Sequence, residues 1–332
     1  MRRYRWGILG AGWIAGKFAE DLALLPSADL RAVASRSGDR AAAFARNFNI
    51  PVSYGSWKEI SSDPDIDIVY VATHHPFHFE NTLACLREGK AVLCEKPITM
   101  NKKELEILVR AASEKKAFLM EALWTLFFPS IRKVQEIAGS GKLGKLQSIY
   151  ADFGFRQEFD PGHRLFDPAK GGGALLDIGI YPVFIAQLLA GVPDTITASA
   201  RFAETGTDHS CSMIFEHKNS ITSSLNCTVV SDAPTEANLL YERGWIRMES
   251  PWYAPGPITL HRNEQAPERM EFPEPGHGYH YEAGEVMRCL DKGLLESPLL
   301  PIQFSLDLME TLDRVRSVCG ISYVQDLEEP DA

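Results

Sequence analysis

Positive charge, paired cysteines and long apolar runs are all scarce in this chain, and each scarcity excludes something. The 332 residues carry 34 Lys and Arg against 44 Asp and Glu, a net charge of −10. A polyanion would be repelled, so neither nucleic acid nor an anionic membrane surface is expected as a partner. The six cysteines, Cys85, Cys94, Cys211, Cys227, Cys289 and Cys319, form no C-x-x-C pair and no close cluster. That pattern argues against a disulfide framework and predicts free, buried thiols in a reducing compartment. No apolar run reads as long enough to cross a bilayer. The apolar part of the opening MRRYRWGILG is too short for a secretory signal. A cytoplasmic enzyme with enough chain for two cores is the expectation.

What is present begins at Trp6. Trp6 to Leu9 is short and apolar and reads as a buried strand. Gly10, Gly12 and Ala15 then spell G-x-G-x-x-A, and a helical run follows from Gly16 to Leu25 with Phe18, Leu22 and Leu25 on one face. Gly10 permits a sharp turn, Gly12 lets a pyrophosphate approach the backbone, and Ala15 lets helix and strand pack closely. The helix N-terminus offers N–H groups to the anion. Gly10, Gly12, Trp13 and Ile14 are therefore candidate cofactor contacts, with a glycine-rich surface turn as the alternative.

A second strand, Leu30 to Ser35, ends where such a fold meets the adenosine ribose. An NAD site usually places an acid there. This chain has Ser35, Arg36 and Ser37, with Arg40 one helical turn on. A guanidinium binds a 2′-phosphate bidentately, so NADP(H) is the predicted cofactor. The alternative is two solvated surface arginines. Further on, Ala41 to Phe48, Phe79 to Glu88 and Lys102 to Lys115 read as helices. Ile66 to Ala72, Ala91 to Cys94 and Ala117 to Met120 read as strands. The alternation predicts a doubly wound parallel sheet over residues 1–122. From residue 123 to 332 the texture changes. Short strand-like runs from Thr195 to Leu260, with a strand at Leu146 to Phe155, predict an α+β domain with an open, mostly antiparallel sheet. Helices are expected at Pro129 to Ala138, Ala174 to Leu189, Glu282 to Lys292 and Phe304 to Val318, and an acidic tail at Leu327 to Ala332.

Chemistry belongs at the carboxyl ends of parallel strands. Thr73 to His78 and Glu95 to Pro97 occupy two such ends. The histidines His74, His75 and His78 lack metal-site spacing and a cysteine partner, so hydrogen bonding by His75 and His78 is favoured over metal. Lys96 should bury its stem and present its ammonium to the crevice, and Pro97 is a candidate for a cis bond. Asp177 and Tyr181 lie four apart on a helical run that Pro182 should kink. A carboxylate and a phenol aimed at one place suit a dehydrogenation, and equally suit a buried packing pair.

Taken together, G-x-G-x-x-A, Cys94-Glu95-Lys96-Pro97 and GGGALLDIGIYP resemble the Gfo/Idh/MocA oxidoreductase family. AVLCEKP, FLMEALWT and ESPLLP extend the likeness to its dimeric dihydrodiol dehydrogenase and NADP-dependent D-xylose 1-dehydrogenase subgroup. The resemblance implies a Rossmann domain and a second sheet domain whose outer face builds a homodimer. It implies NADP(H) held by Arg36 and Arg40, with Thr73, His75, His78, Glu95 and Lys96 nearby. Lys96 and Tyr181 match the catalytic pair, Asp177 the carboxylate of the wider family's motif, and Trp124 and Phe153 the substrate pocket. Leu126 stands where the subgroup has arginine. The expected activity is hydride transfer between a nicotinamide and a CH–OH group of a sugar or cyclic trans-diol. The alternatives are a sugar ketone or aldehyde reductase, and a non-catalytic dinucleotide or sugar sensor.

Overall fold

A computed structural model describes residues 2–327. The expected acidic tail lies outside them apart from Leu327. Packing divides the chain into two units, one running to Trp124 and taking in Glu274–Leu306, the other comprising Thr125–Pro273 and the chain from Asp307.

In the first unit, six parallel strands order as β3-β2-β1-β4-β5-β6. They are β1 (Tyr4–Leu9), β2 (Ala28–Ala34), β3 (Val52–Tyr54), β4 (Ile68–Val71), β5 (Ala91–Glu95) and β6 (Leu119–Ala122). Between them run α1 (Trp13–Leu22), α2 (Gly38–Phe48), α3 (Trp57–Ser62), α4 (His78–Arg87) and α5 (Lys102–Lys115). β4 is IVYV, buried throughout, as a strand covered on both faces must be. The order reverses between β1 and β4, so the switch point falls beside Gly10. The short β3 and α3 carry too little apolar pattern to be legible beforehand.

The second unit holds eight strands in the order β14-β13-β12-β11-β7-β10-β9-β8. After α6 (Pro129–Gly139) come β7 (Leu146–Gly154) and α7 (Ile180–Ala190). The remaining strands are β8 (Thr195–Phe202), β9 (Asp208–Glu216), β10 (Thr222–Thr228), β11 (Ala237–Tyr241), β12 (Gly244–Met248), β13 (Ile258–Arg262) and β14 (Glu268–Met270). All pairs are antiparallel except β7 with β10. The expected α/β and α+β architecture is thus the observed one. β10 alternates exposed and buried residues, and its buried face lies against α7. α8 (Tyr279–Asp291) belongs to the first unit, and α9 (Ile302–Cys319) begins there and continues in the second.

Two expectations are adjusted. The helical run Pro168–Ala190 is, by length and a hydropathy of 1.7, apolar enough to cross a membrane, contrary to the expectation that no stretch is. It is a core helix, with 83% of its apolar window buried. The kink expected at Pro182 appears just upstream, as a π turn over Leu175–Gly179. Its wider i→i+5 bonding makes room for a proline that cannot donate to the carbonyl four residues back. All six cysteines are free, and all but Cys319 are buried.

Candidate active site

The first unit gathers its candidates at four strand ends. After β1, Gly10 turns with φ of +114°. A Cβ there would meet the Ala72 carbonyl oxygen at 2.4 Å, so only glycine fits. Gly12 is the extended N-cap of α1, nothing lies within 4 Å of a Cβ built on it, and the first turn of α1 holds no acid. Open N–H groups at a positive helix end, reached past a bare glycine, fit a pyrophosphate. Trp13 is 73% exposed beside this turn, with Lys17 Nζ 5.3 Å from its ring centre, and Ile14 is half-buried.

At the end of β2, Ser35 Oγ accepts from the Ser37 amide at 3.4 Å, and Ser37 Oγ caps α2 by accepting from the Arg40 amide. Arg36 and Arg40 are exposed, and no acid stands between Ala34 and Gly38. The Arg36 guanidinium lies 4.8 Å from the centre of the Phe77 ring, which joins the β2 end to the loop after β4.

In that loop Thr73 Oγ1 accepts from Asn81 at 3.1 Å. The half-buried His75 ring stands 5.7 Å from that of His78. His78 is fully buried, with Nδ1 2.8 Å from the Pro97 carbonyl and Nε2 3.0 Å from the Thr73 carbonyl. Burial pushes its pKa down to about 4, so a neutral ring donates to one of the two oxygens. Both nitrogens face backbone, so His78, expected to contact the coenzyme, instead ties the Thr73 loop to the Lys96–Pro97 turn.

β5 ends at Glu95, and the next residue, Lys96, leads through a cis bond into Pro97. Glu95 Oε1 accepts the Tyr70 hydroxyl, and Oε2 lies 3.3 Å from the Lys96 amide. Glu121 Oε1 accepts from the Ile98 amide at 3.0 Å and so braces the turn after Lys96 from below. Burial raises the Glu121 carboxyl to about 7. Sequence reasoning missed Glu121, although a lone acid inside the apolar FLMEALW was a signal. It also missed Asp21, which accepts from the His277 amide at 2.8 Å and the Tyr279 amide at 2.7 Å. Asp21 thereby fixes the start of α8 against α1, and Tyr279 stacks on Trp124 with centroids 4.4 Å apart.

In the second unit the π turn carries Asp177 and leads into Tyr181, both nearly buried at 5% and 6% exposure. A Cβ on Gly179 would meet Cys227 Sγ at 2.8 Å, so glycine lets this turn seat on β10. Arg164, unnoticed in the sequence, places Nη1 2.9 Å from Asp177 Oδ1. Tyr181 stands in an aromatic wall. Its ring centre is 5.6 Å from Phe153 and 5.3 Å from Tyr253, and Phe153 stacks on Tyr253 at 3.9 Å. Asp208 Oδ2 accepts from the Leu175 amide at 2.7 Å and caps the whole segment. Leu126 is 1% exposed, a packing position in which a charge would be buried.

Residues 4–123 match the oxidoreductase family with an NAD-binding Rossmann fold, and residues 131–247 match the GFO/IDH/MocA C-terminal domain. The chain belongs to the Gfo/Idh/MocA oxidoreductase family. Trans-1,2-dihydrobenzene-1,2-diol dehydrogenase of Mus musculus is 39% identical over 336 residues, covering 97% of this chain and 98% of its own. The enzyme of that name from Homo sapiens is 35% identical with the same coverage. A 3-ketoreductase from Actinomadura kijaniata, solved with NADP and TDP-benzene, has a TM-score of 0.86 at 25% identity, covering 96% of this chain and 98% of its own. An aldose-aldose oxidoreductase from Caulobacter crescentus, with a TM-score of 0.87 at 22% identity over 96% and 98% of the two chains, shares the fold. This Gfo/Idh/MocA member is a dehydrogenase or reductase acting on CH–OH groups, with an NAD(P)-binding Rossmann domain.

Proposed function

We propose that the protein is an NADP(H)-dependent oxidoreductase of a sugar or cyclic trans-diol, with Tyr181 as proton carrier and Lys96 as its electrostatic partner. The observation that carries this is the placing of Asp177 on the π turn and of Tyr181 one turn later in α7. Asp177 pairs with the Arg164 guanidinium at 2.9 Å, and Tyr181 beside it, set in the aromatic wall, is the group assigned to exchange the proton. A nicotinamide coenzyme whose pyrophosphate is held at the glycine cradle would supply the hydride acceptor or donor. Tyr181 Oη takes the substrate hydroxyl proton, or returns it in reduction. An ordinary phenol has a pKa near ~10, and the Lys96 ammonium favours its ionised form. Arg36 and Arg40 hold the 2′-phosphate, Ser35, Thr73 and His75 line the coenzyme, and Glu95 and Lys96 stand beside it. Trp124 and Phe153 bound the substrate. Residues 1–122 serve the coenzyme and 123–332 the substrate and dimer, with α8 packed on the first unit. Free buried thiols suit a cytoplasmic location.

Reduction of a sugar ketone or aldehyde uses the same groups in reverse, and the 3-ketoreductase likeness favours keeping that second possibility. A homodimer would form through the outer face of the second sheet. Tyr150 and Ile214, 46% and 53% exposed, align there across Ser224. Light scattering should give twice the chain mass, and a clean monomer would contradict this.

The test of the catalytic pair is kinetic. Tyr181→Phe should lower turnover about 10²–10⁴-fold with NADPH affinity nearly intact. Lys96→Met should lower turnover and move the remaining pH–rate limb upward. The double variant should be little worse than the poorer single one, because groups acting as a unit are not additive. Near-normal turnover in Tyr181→Phe rejects the tyrosine as proton carrier.

A further inference from the structure

Glu282 takes part in none of the chemistry above. It sits on α8 one turn after Tyr279, at 0% exposure, and neither carboxyl oxygen has a hydrogen-bond partner among the described residues. The groups that face it are Asp21 from α1 and Glu95 from the end of β5, with the Tyr70 phenol of β4 and Tyr279 in the same cluster. Behind Asp21 stands His280, its Nδ1 3.4 Å away, and behind that Glu274 at 3.5 Å from Nε2. Among the described residues no cation is paired with Glu282.

A dry carboxylate with no donor, facing two other carboxyls, is strongly disfavoured. Asp21 spends its oxygens on the backbone amides that start α8. Glu95 spends its oxygens on the Tyr70 hydroxyl and the Lys96 amide. Both of those acids accept hydrogen bonds, and Glu282 is the one of the three that accepts none among the described residues, so it is the place for a proton. Burial and the charges of Glu95 and Asp21 accordingly raise Glu282 well above the ordinary carboxyl range.

We propose that Glu282 is a positioning residue that works as a neutral acid. Holding a proton beside Glu95, it leaves Glu95 as the one charge gripping the Tyr70 hydroxyl and the Lys96 amide, and so fixes the coenzyme end of β5. This rests on Glu95 and Lys96 serving the coenzyme as proposed above. Ionised Glu282 sets a second negative charge against Glu95, loosens that strand end and weakens coenzyme binding at alkaline pH.

The experiment compares NADPH affinity in the wild type and Glu282→Gln from about pH 6 to about pH 9.5, by fluorescence without substrate. Glutamine copies the neutral acid at every pH. Affinities should agree within about twofold near neutrality. At the alkaline end the wild type should bind more weakly than the variant, by up to about tenfold for each pH unit above the point at which Glu282 ionises. Effects of pH common to both proteins cancel in the ratio. Parallel profiles overturn the proposal. Failure of both proteins to bind NADPH refutes the coenzyme assignment instead. The inference is then read from melting temperature, which must fall more in the wild type than in Glu282→Gln as pH rises from the ordinary carboxyl range through neutrality. Should that variant not fold, infrared spectroscopy of the wild type decides. A protonated-carboxyl band must persist above the values near 7 of Glu121 and Asp208, and its absence there overturns the proposal.

Discussion

Asp208→Asn tests whether the cap beneath the Asp177–Tyr181 segment is held at an energetic cost. Asp208 is fully buried, its Oδ2 accepts from the Leu175 amide at 2.7 Å, and its Oδ1 has no hydrogen-bond partner among the described residues. Burial raises its carboxyl from 3.8 to about 7, against the opposing pull of the backbone amides and of Arg316. Because the folded-state value is the higher one, stability is fullest below the unfolded carboxyl pKa near ~3.9. It declines as pH rises to about 7 and is level above that. At 1.36 kcal/mol per pH unit the decline amounts to about 4 kcal/mol. Asparagine keeps an oxygen for the Leu175 amide and does not titrate. Relative to the wild type, the variant should therefore gain about 4 kcal/mol between about pH 4 and about pH 7. At about 2–4 °C per kcal/mol this is a relative rise of roughly 8–16 °C in melting temperature. Thermal unfolding at a series of pH values reads it directly. Parallel curves for the two proteins would refute an ionisable, costly cap.

Replacing Arg36 and Arg40 by alanine should weaken NADPH binding by about 10²-fold or more while leaving NADH binding nearly unchanged, since each charged contact is worth on the order of 1.5–3 kcal/mol. Equal losses for the two coenzymes would show that these arginines do not read the phosphate. Arg164→Met strips Asp177 of its cation. The arginine side chain is 44% exposed and the carboxylate 8%, so the loss falls between surface and buried pairs, about 1–2 kcal/mol. Turnover should fall more than NADPH affinity, and unchanged turnover would separate Arg164 from the chemistry.

Residues with a steric or periodic signature were legible in the sequence. Gly10 needs a positive φ and a bare α-carbon against Ala72, and the G-x-G-x-x-A spacing shows it. β4 is apolar throughout because both faces are covered, and the run IDIVYVA shows that. Lys96 at the end of such a strand could be placed for the same reason. What stayed hidden depends on contacts between distant segments. Asp21 joins α1 to a segment about 257 residues later, and no local pattern encodes that partnership. Arg164 reads as one more loop arginine until the π turn brings Asp177 to it. The return of Glu274–Leu306 to the first unit is equally long-range, because α8 has the pattern of any amphipathic helix. β3, with three residues, is too short for alternation to show.

The most direct measurement of the central claim is the absorbance change of the nicotinamide coenzyme with a panel of pentoses, hexoses, trans-diols and the corresponding ketones and aldehydes, run with both NADP(H) and NAD(H). Turnover should appear with at least one sugar or cyclic trans-diol, prefer NADP(H), and fall about 10²–10⁴-fold in Tyr181→Phe. Coenzyme binding without turnover on any member of the panel would contradict it and point to a sensor.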